Sequence, residues 1–143
     1  MIPEALLTAV GVQVLCQLFK VVAYSIRDGA LNLRYFVSAG GMPSAHAAFV
    51  TALVVAVGMR AGIQSEVFAV AFVFGTIVTY DAFRLRGEVE RHAKRLNALA
   101  RREGPESAER FERLNEMIGH SLAEIVVGIV VGGALSVLVS LFV

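Results

Sequence analysis

The sequence predicts an all-α, polytopic membrane helical bundle of about four transmembrane helices, joined by a charged amphipathic helical hairpin. Of its 143 residues, 57% are apolar and only 17% are charged, whereas about a quarter of the residues of a soluble domain are charged. The mean hydropathy is +0.69. The apolar residues also fall into long stretches separated by shorter polar ones, which indicates several membrane-spanning helices.

Four stretches are the candidate transmembrane helices. They are approximately Glu4 to Tyr24, His46 to Arg60, Gln64 to Phe83 and Ser121 to Val143. The second is short against the roughly 20 residues that a full crossing needs, so we expect it to use its flanks or to be partly buried in the bundle. Several stretches are apolar on all sides, which suits lipid and neighbouring helices better than water. We expect residues 1–143 to form a single membrane domain.

A charged segment separates the third and fourth stretches. Nine Lys or Arg and six Asp or Glu lie between Arg84 and Arg113. Apolar residues recur at three and four positions from Leu85 to Ala100, which predicts an amphipathic helix that ends at Gly104-Pro105. A second short helix is expected through Phe111 and Leu114. The simplest role is a solvated connection, and the alternative is binding of anionic lipid headgroups.

The basic residues predict the orientation in the membrane. With four spans, the loop from Ser25 to Ala45 and the charged helical segment, residues 84–116, lie on one side, while the other side holds only Arg60. Short loops rich in Lys and Arg stay in the cytoplasm. We therefore expect an integral membrane protein with this segment in the cytoplasm and both termini outside.

Charge and cysteine content narrow the functions to be considered. A net charge of +1 gives no reason to expect nucleic acid as a partner. The single cysteine, Cys16, allows neither an internal disulfide nor a thiolate cluster, and we expect no metal and no other cofactor. Gly128-x-x-x-Gly132 lets helix backbones approach closely, and a homodimer is therefore a further expectation.

The first span carries a stripe of polar residues. Its members are spaced by 4, 3, 4 and 3 positions and therefore share one helix face. Ionisable groups at membrane depth are costly, so this face should point to protein or to a water-filled cavity. The alternative is that Lys20 merely extends to the interface. The stripe consists of Gln13, Gln17, Lys20, Tyr24 and Arg27.

Two histidines lie where apolar helices begin. The run Gly40 to His46 leads from a glycine pair into a helix, which presents backbone N–H groups and the positive end of the helix dipole to an anion such as phosphate. Ser44 can also simply start the helix. Glu124 lies one turn after His120 and can fix the tautomer of its ring, but Ser121-x-x-Glu124 equally fits a capping box. Spacing leaves both alternatives open.

A further cluster closes the third span on the same side of the membrane. It consists of Tyr80 and Asp81, followed by Arg84 and Arg86. Its simplest interpretation is an interfacial anchor with a salt bridge. The polar stripe, both histidine segments and this cluster are distant in sequence, yet four spans bring them to one membrane level. Their convergence indicates a site.

These residues resemble the divergent branch of the type 2 phosphatidic acid phosphatase superfamily, whose members include relatives of the vanadium haloperoxidases. The first motif of the superfamily is Lys, six residues, Arg-Pro. Lys20 and Arg27 keep this spacing, and Asp28 replaces the proline. The second motif is P-S-G-H, from which Pro43 to His46 differs only at Ala45.

The third motif is S-R, five residues, H-x-x-x-D. His120 and Glu124 match its end with Glu for Asp, while Leu114 stands at the position of the arginine. The divergent branch adds G-G-M-P-S-x-H, Y-D-A, L-N and G-H-x-x-x-E-V features. They stand here as Gly40 to His46, Tyr80 to Ala82, Leu96-Asn97 and Gly119 to Ile125, so that the resemblance covers about residues 13 to 133.

The resemblance implies a two-step phosphoryl transfer without a metal. His120 would form a phosphohistidine with Glu124 orienting its ring, and His46 would protonate the leaving alcohol and then activate water. The residues that it assigns to the phosphate oxygens are Lys20, Arg27, Ser44 and the backbone of Gly41 to Ala45. Arg86, in preference to Arg84, would replace the arginine missing at Leu114, with Asp81, Tyr80 and Arg84 as supporting residues.

The function implied is hydrolysis of a lipid-linked phosphate monoester or pyrophosphate reached from the cytoplasmic leaflet. Its partners would be a phosphorylated membrane lipid and the bilayer. Two alternatives remain open. One is a membrane protein that binds a phospholipid without catalysis, and the other is a lipid transporter or flippase that uses the polar stripe as a path.

Overall fold

The computed structural model describes residues 3–38, 40–102, 113–116 and 118–142. Over these residues the chain is helical and contains no strand. The elements are α1 (Glu4–Asp28), a 3₁₀ turn (Leu33–Val37), α2 (Ala45–Ala61), α3 (Glu66–Tyr80), a π-helical turn (Asp81–Leu85), α4 (Arg86–Arg102) and α5 (Leu122–Ser140). The predicted all-α membrane bundle is confirmed.

Three helices are long and apolar enough to cross a membrane. They are α1, the continuous helix Glu66–Arg102 and α5, whereas α2 has 17 residues. Large apolar side chains such as Phe19, Phe72 and Val130 are exposed on the outer faces of the bundle. Lipid tails can cover these faces without cost, because lipid is as apolar as the side chains themselves.

The short helix α2 lies at the centre of the bundle, where α1, α3 and α5 all pack against it. At about 1.5 Å per residue its 17 residues fall short of a hydrocarbon core of about 30 Å. Its buried side chains are small, including Ala45, Ala48, Ala52 and Ala56. The second span is therefore buried among its neighbours, which is one of the two expected solutions to its shortness.

Two glycines of α5 allow its backbone to touch that of α2. A Cβ atom on Gly128 would lie 2.5 Å from the carbonyl oxygen of Ser44, and one on Gly132 would lie 2.3 Å from that of Ala48. One turn further, the Ser136 hydroxyl donates to the carbonyl of Ala52 at 2.9 Å. The G-x-x-x-G face is thus used inside the chain, and a homodimer would need another surface.

Two helix boundaries differ from prediction. α1 continues past Tyr24 to Asp28 and ends at Gly29, whose φ of +68° lets its N–H reach carbonyls of the last turn. The third span does not stop at Phe83, because the π-helical turn carries the helix on into α4 without a break. A π-helical turn is a common feature of functional sites, but it has no sequence signature.

The amphipathic helix is confirmed as α4. Its predicted stop at Gly104-Pro105 and the residue Phe111 lie outside the described residues, as does Val143 at the end of the last predicted span. The second short helix falls largely outside the described residues, and Leu114 at its end is not helical: its backbone N–H and C=O both bond the side chain of Asn97.

Candidate functional site

A polar cleft of about 420 Å³ opens at one end of the bundle. It lies between the end of α1, the segment that leads into α2, the start of α4 and the segment that leads into α5. Its lining includes Tyr24, Arg27, Gly41, Glu90 and His120. This space, called the polar cleft below, brings together residues of α1, of the two segments that carry the histidines and of α4, whereas Lys20, His46 and Arg86 are not among its lining residues.

His46 and His120 lie next to one another in an edge-on arrangement. Their ring centroids lie 6.2 Å apart with planes inclined by 63°. His46 sits in the first turn of α2, and His120 immediately precedes the cap of α5. The backbone N–H of His120 donates to the carbonyl of Ala82 at 3.3 Å, so the π-helical turn contributes to its placement.

Glu124 contacts both the ring of His120 and the start of its own helix. Its Oε2 lies 3.0 Å from Nδ1 of His120 and accepts the backbone N–H of Ser121 at 3.1 Å. In return, the Ser121 hydroxyl accepts the backbone N–H of Glu124 at 3.3 Å. The two alternatives for Glu124, orienting the ring and closing a capping box, are therefore realised together.

The carboxylate determines which nitrogen of His120 is free to react. An ionised Glu124 is an acceptor only, so the proton of a neutral imidazole belongs on Nδ1 and the lone pair on Nε2. Nε2 is buried and has no hydrogen-bond partner among the described residues. Burial lowers the pKa of His120, the hydrogen bond to Glu124 raises it, and the positive charges of Lys20 and Arg86 lower it. The net direction is down, towards the neutral ring.

Lys20 is fully buried and points into the protein. Its Nζ donates to the carbonyl of Gly40 at 3.0 Å, so the suggestion that it merely extends to the interface is wrong. One turn on, the Tyr24 hydroxyl accepts the backbone N–H of Met42 at 3.0 Å. Gly41, with φ of +92°, lies so close to this tyrosine that a Cβ would come within 2.6 Å of the hydroxyl. The polar stripe of α1 thus fixes the glycine segment.

Ser44 links the starts of two helices. Its hydroxyl accepts the backbone N–H of Ala47 at 3.3 Å and caps α2, and its own N–H donates to the carbonyl of Glu124 at 3.0 Å. The simpler interpretation, that it starts a helix, is confirmed. The N–H groups of Met42 and Ser44 have protein acceptors here, so a phosphate would take other donors of this segment or displace these partners.

Arg27 lies at the exposed mouth of the polar cleft. Its Nε donates to Asp28 at 3.1 Å, and its guanidinium lies 4.8 Å from the ring centroid of Tyr24. Asp28 also accepts the hydroxyl of Tyr35. The aspartate that replaces the motif proline is therefore the partner of the motif arginine.

Of the two candidate arginines after the third span, Arg86 is the one whose charge acts on the histidines. Its Nε donates to Asp81 at 3.0 Å, and its charge acts on both His46 and His120. Arg84 is exposed, because two residues at about 100° each place it on nearly the opposite side of the helix. Tyr80 lines a separate apolar cavity rather than the polar cleft. The structure therefore does not bring Arg84 and Tyr80 to the histidines.

The contribution of α4 was missed by the sequence interpretation, which treated the charged segment as a solvated connection or a headgroup grip. Glu90 accepts the backbone N–H of Gly119 at 3.0 Å. Asn97, two turns along the same face, bonds the backbone of Leu114. The available signal was an uncharged polar residue, Asn97, seven positions after Glu90 on a helix that otherwise exposes charge.

An apolar cavity of about 530 Å³ lies beside the site, between α2, α3 and α5. It is called the lateral groove below. Val54, Thr79 and Phe83 line one side, and Leu122 and Val126 of α5 line the other. Leu122 is two residues from His120, so the groove runs up to the segment that carries this histidine.

A metal centre needs several ligating side chains close together. Among the described residues, no group of three or more His, Cys, Asp or Glu side chains could hold a metal ion. Glu124 is engaged with the Nδ1 atom of His120 and the backbone of Ser121. The described residues thus offer no metal centre.

Comparison with known proteins agrees with this architecture. The chain is 30% identical over 148 residues to the uncharacterized membrane protein YuiD of Bacillus subtilis (strain 168), which covers 96% of this chain and 94% of that protein. No solved structure matches it significantly. Together with the apolar helices, this relative identifies an integral membrane protein in contact with the bilayer. Residues 2–135 match the family described as the Divergent PAP2 family. The chain belongs to that family.

Proposed function

We propose that the protein is a membrane phosphatase that hydrolyses a lipid-linked phosphate monoester or pyrophosphate through a phosphohistidine on His120. The observation that carries the proposal is the pairing of two imidazoles across the site, 6.2 Å apart between centroids. Nδ1 of His120 is held by Glu124, while Nε2 is left unbonded among the described residues. Family membership supports the same activity.

The two rings are close enough for both to act on one phosphoryl group beside them. A nucleophile attacks from about 3 to 3.5 Å, and a general acid acts over a hydrogen bond of about 2.6 to 3.2 Å. Both contacts must be made with the same phosphoryl group, and the two rings, with centroids 6.2 Å apart, border one space. One ring can therefore attack phosphorus while the other reaches the leaving oxygen.

In the first step, Nε2 of His120 attacks phosphorus as the bond to the ester oxygen breaks. His46, protonated, gives its proton to that oxygen, and the alcohol leaves as a neutral molecule. Glu124 keeps the proton on Nδ1 and stabilises the positive charge that the ring acquires. This arrangement is a nucleophile oriented by a carboxylate, a common form of covalent catalysis.

In the second step, His46 accepts a proton from water as the water oxygen attacks phosphorus. The bond from Nε2 to phosphorus breaks, its electron pair returns to His120, and inorganic phosphate leaves. Lys20, Arg27 and Arg86 supply positive charge around the phosphate oxygens, with Ser44 and the Gly41 to Ala45 backbone as further donors. Phosphoryl transfer depends mainly on such positioning and charge stabilisation.

A lipid substrate is favoured by the lateral groove. The groove is almost entirely apolar in its lining and reaches Leu122, next to the histidine segment. An acyl or isoprenyl chain in the groove would leave its phosphate at the polar end of the bundle. In this proposal residues 84–116 face the cytoplasm, by the excess of Lys and Arg on that side.

The test is release of inorganic phosphate from a panel of phospholipid and isoprenyl phosphates by the purified protein. Wild type should release phosphate, and His120→Ala should lose at least about 10³-fold in rate, as expected when a covalent nucleophile is removed. His92→Ala is the matched control, because His92 is exposed on α4. Equal release by wild type and His120→Ala would remove His120 from the mechanism.

The lipid part of the proposal has its own test. Ile129→Trp fills the lateral groove, while Val130→Trp adds the same side chain on the exposed face of α5. We expect Ile129→Trp to raise KM for long-chain substrates and to leave a short-chain phosphate unaffected. If both variants behave alike, the groove does not hold the chain.

Lipid binding without turnover is the second candidate. It is favoured by the departures from the superfamily motifs at Asp28, Glu124 and Leu114. Tight binding of a phosphorylated lipid without an acid-stable or base-stable phosphoenzyme would support it. Flux of lipid across liposomes that His46→Ala leaves unchanged would instead support the transporter or flippase.

A homodimer would use a surface other than the G-x-x-x-G face.

A further inference from the structure

The segment that carries His120 is bonded to α4 at two places. The first is Asn97, which is 7% exposed. Its side-chain amide donates to the carbonyl of Leu114 at 2.9 Å, and its oxygen accepts the N–H of Leu114 at 3.0 Å. The same amide donates to Glu116 at 2.7 Å, which lowers the pKa of that carboxyl. One side chain thus satisfies both backbone groups of a non-helical residue.

The second place is Glu90, adjacent to the histidine itself. Its Oε2 accepts the backbone N–H of Gly119 at 3.0 Å, while Oε1 pairs with Lys94. The carboxylate therefore acts on the residue immediately before His120. A charge-assisted bond of this kind is stronger than one between neutral groups.

The backbone of the segment before α5 also touches the backbone of α4, at a point between these anchors and the π-helical turn. A Cβ on Gly119 would lie 2.9 Å from Cα of Gly87 and 3.0 Å from its nitrogen. The segment before α5 therefore rests directly on the first turn of α4. The carbonyl of Ala82, in the π-helical turn, then receives the N–H of His120.

We propose that Asn97 and Glu90 are positioning residues that hold His120 at the distance from His46 needed for phosphoryl transfer. The inference rests on the proposed function and extends it to the part of α4 beyond Arg86, whose side chains are assigned neither to the phosphate nor to the two rings. Neither residue exchanges a proton or contacts phosphorus. They act through the backbone of Leu114 and Gly119, and hence through the position of Nε2.

The expected kinetic effect follows from this role. A displacement of about 1 Å at a reacting atom can cost about 100-fold in rate. Asn97→Ala and Glu90→Gln should therefore lower kcat by about 10- to 100-fold and leave KM within about threefold. The matched controls are Glu88→Gln and Arg95→Ala, which change exposed residues on other faces of α4 and should keep the wild-type kcat.

A second measurement does not depend on turnover. The titration of the His120 ring can be followed by nitrogen NMR in ¹⁵N-histidine-labelled protein. The charged groups that face this ring, Lys20, Arg86 and Glu124, are not substituted in any of the variants. Loosening the segment hydrates the ring, so its pKa should rise towards the ordinary histidine value in both variants and stay at the wild-type value in both controls. Circular dichroism and the melting temperature in detergent establish the folded fraction.

The two measurements separate the failure of this inference from the failure of the proposed function. If wild type releases no phosphate from any substrate, the proposed function fails, and the His120 titration alone decides the positioning role. Wild-type kcat and wild-type titration in both variants would overturn the inference. So would a loss of kcat that merely tracks a smaller folded fraction.

Discussion

Nδ1 of His120 and Oε2 of Glu124 lie 3.0 Å apart, and the same oxygen accepts the N–H of Ser121. A single carboxylate oxygen thus orients a ring and caps a helix. The ring and the helix start cannot move independently of one another. The two roles can nevertheless be separated by substitution.

Glu124→Gln should lower kcat by about 10²- to 10⁴-fold, the range lost when proton-transfer groups are disabled. The amide no longer compels the proton to remain on Nδ1. Ser121→Ala removes the hydroxyl of the cap and leaves the carboxylate in place. It should cost about 1 kcal/mol of stability with kcat nearly unchanged, as measured by phosphate release and thermal unfolding. Comparable loss of kcat in both variants would contradict a separate orienting role.

Stability should depend on pH through His120. Because its pKa in the folded protein is lowered by burial, the folded state binds fewer protons than the unfolded state on acidification. Stability is therefore complete above the ordinary histidine pKa of about 6.5 and is lost as the pH falls through that value towards the lower folded pKa. The free energy of unfolding, measured in detergent at several pH values, gives this dependence. His120→Gln should remove this part of the dependence. If the slope of stability against pH is unchanged in this variant, His120 is not its cause.

His46→Ala should separate the two chemical steps. With an alcohol leaving group, the rate should fall by about 10²- to 10⁴-fold because the proton donor is lost. With a nitrophenyl phosphate the leaving group needs no proton, so the first turnover should remain fast and the phosphoenzyme should accumulate. Rapid quench at alkaline pH, where phosphohistidine is stable, detects it. A burst in His120→Ala would place the covalent bond elsewhere.

Arg86→Ala should weaken phosphate binding, whereas Arg84→Ala should not. The charge of Arg86 acts on both histidines, while Arg84 is exposed on another side of the helix. We expect an increase in KM or in the inhibition constant for vanadate of about 10-fold or more, in line with about 1.5 to 3 kcal/mol for a hydrogen bond to a charged group. Equal effects of the two substitutions would show that only the general positive charge matters.

Gly132→Ala should destabilise the bundle by about 1 to 3 kcal/mol, the usual cost of overpacking. The added methyl group would lie 2.3 Å from the carbonyl oxygen of Ala48. Gly133→Ala is the matched control, since the nearest atom to its methyl group is 3.8 Å away, on Thr51. Thermal unfolding in detergent should separate the two variants. Equal melting temperatures would mean that α5 shifts easily against α2.

Much of the site could be predicted because helical spacing is regular. The interval between Lys20 and Tyr24 is enough to place both on one face, and topology then brings His46 and His120 to the same end. The distance between the rings could not be predicted. It depends on how closely α2 and α5 approach, which the contacts of Gly128 with Ser44 determine.

The anchoring on α4 could not be predicted, for a different reason. The seven-residue interval places Glu90 and Asn97 on one face of α4, but it does not identify their partners, Gly119 and Leu114, which lie across a change of chain direction. The π-helical turn has no sequence signature, and it rotates everything after Asp81 relative to α3. Arg86 is preferred to Arg84 from the sequence, but the geometry of this turn, which separates the two side chains, was not predicted.

The central position of α2 has a consequence for the biogenesis of the protein. A translocon releases a segment into lipid according to its apolarity, and a 17-residue helix rich in alanine is a weak candidate by both length and composition. Its partners in the assembled protein are helices rather than lipid. We therefore expect α2 to insert poorly when synthesised alone and to be retained once α1 and α3 flank it, so that the polar cleft would be completed only when α5 emerges from the ribosome.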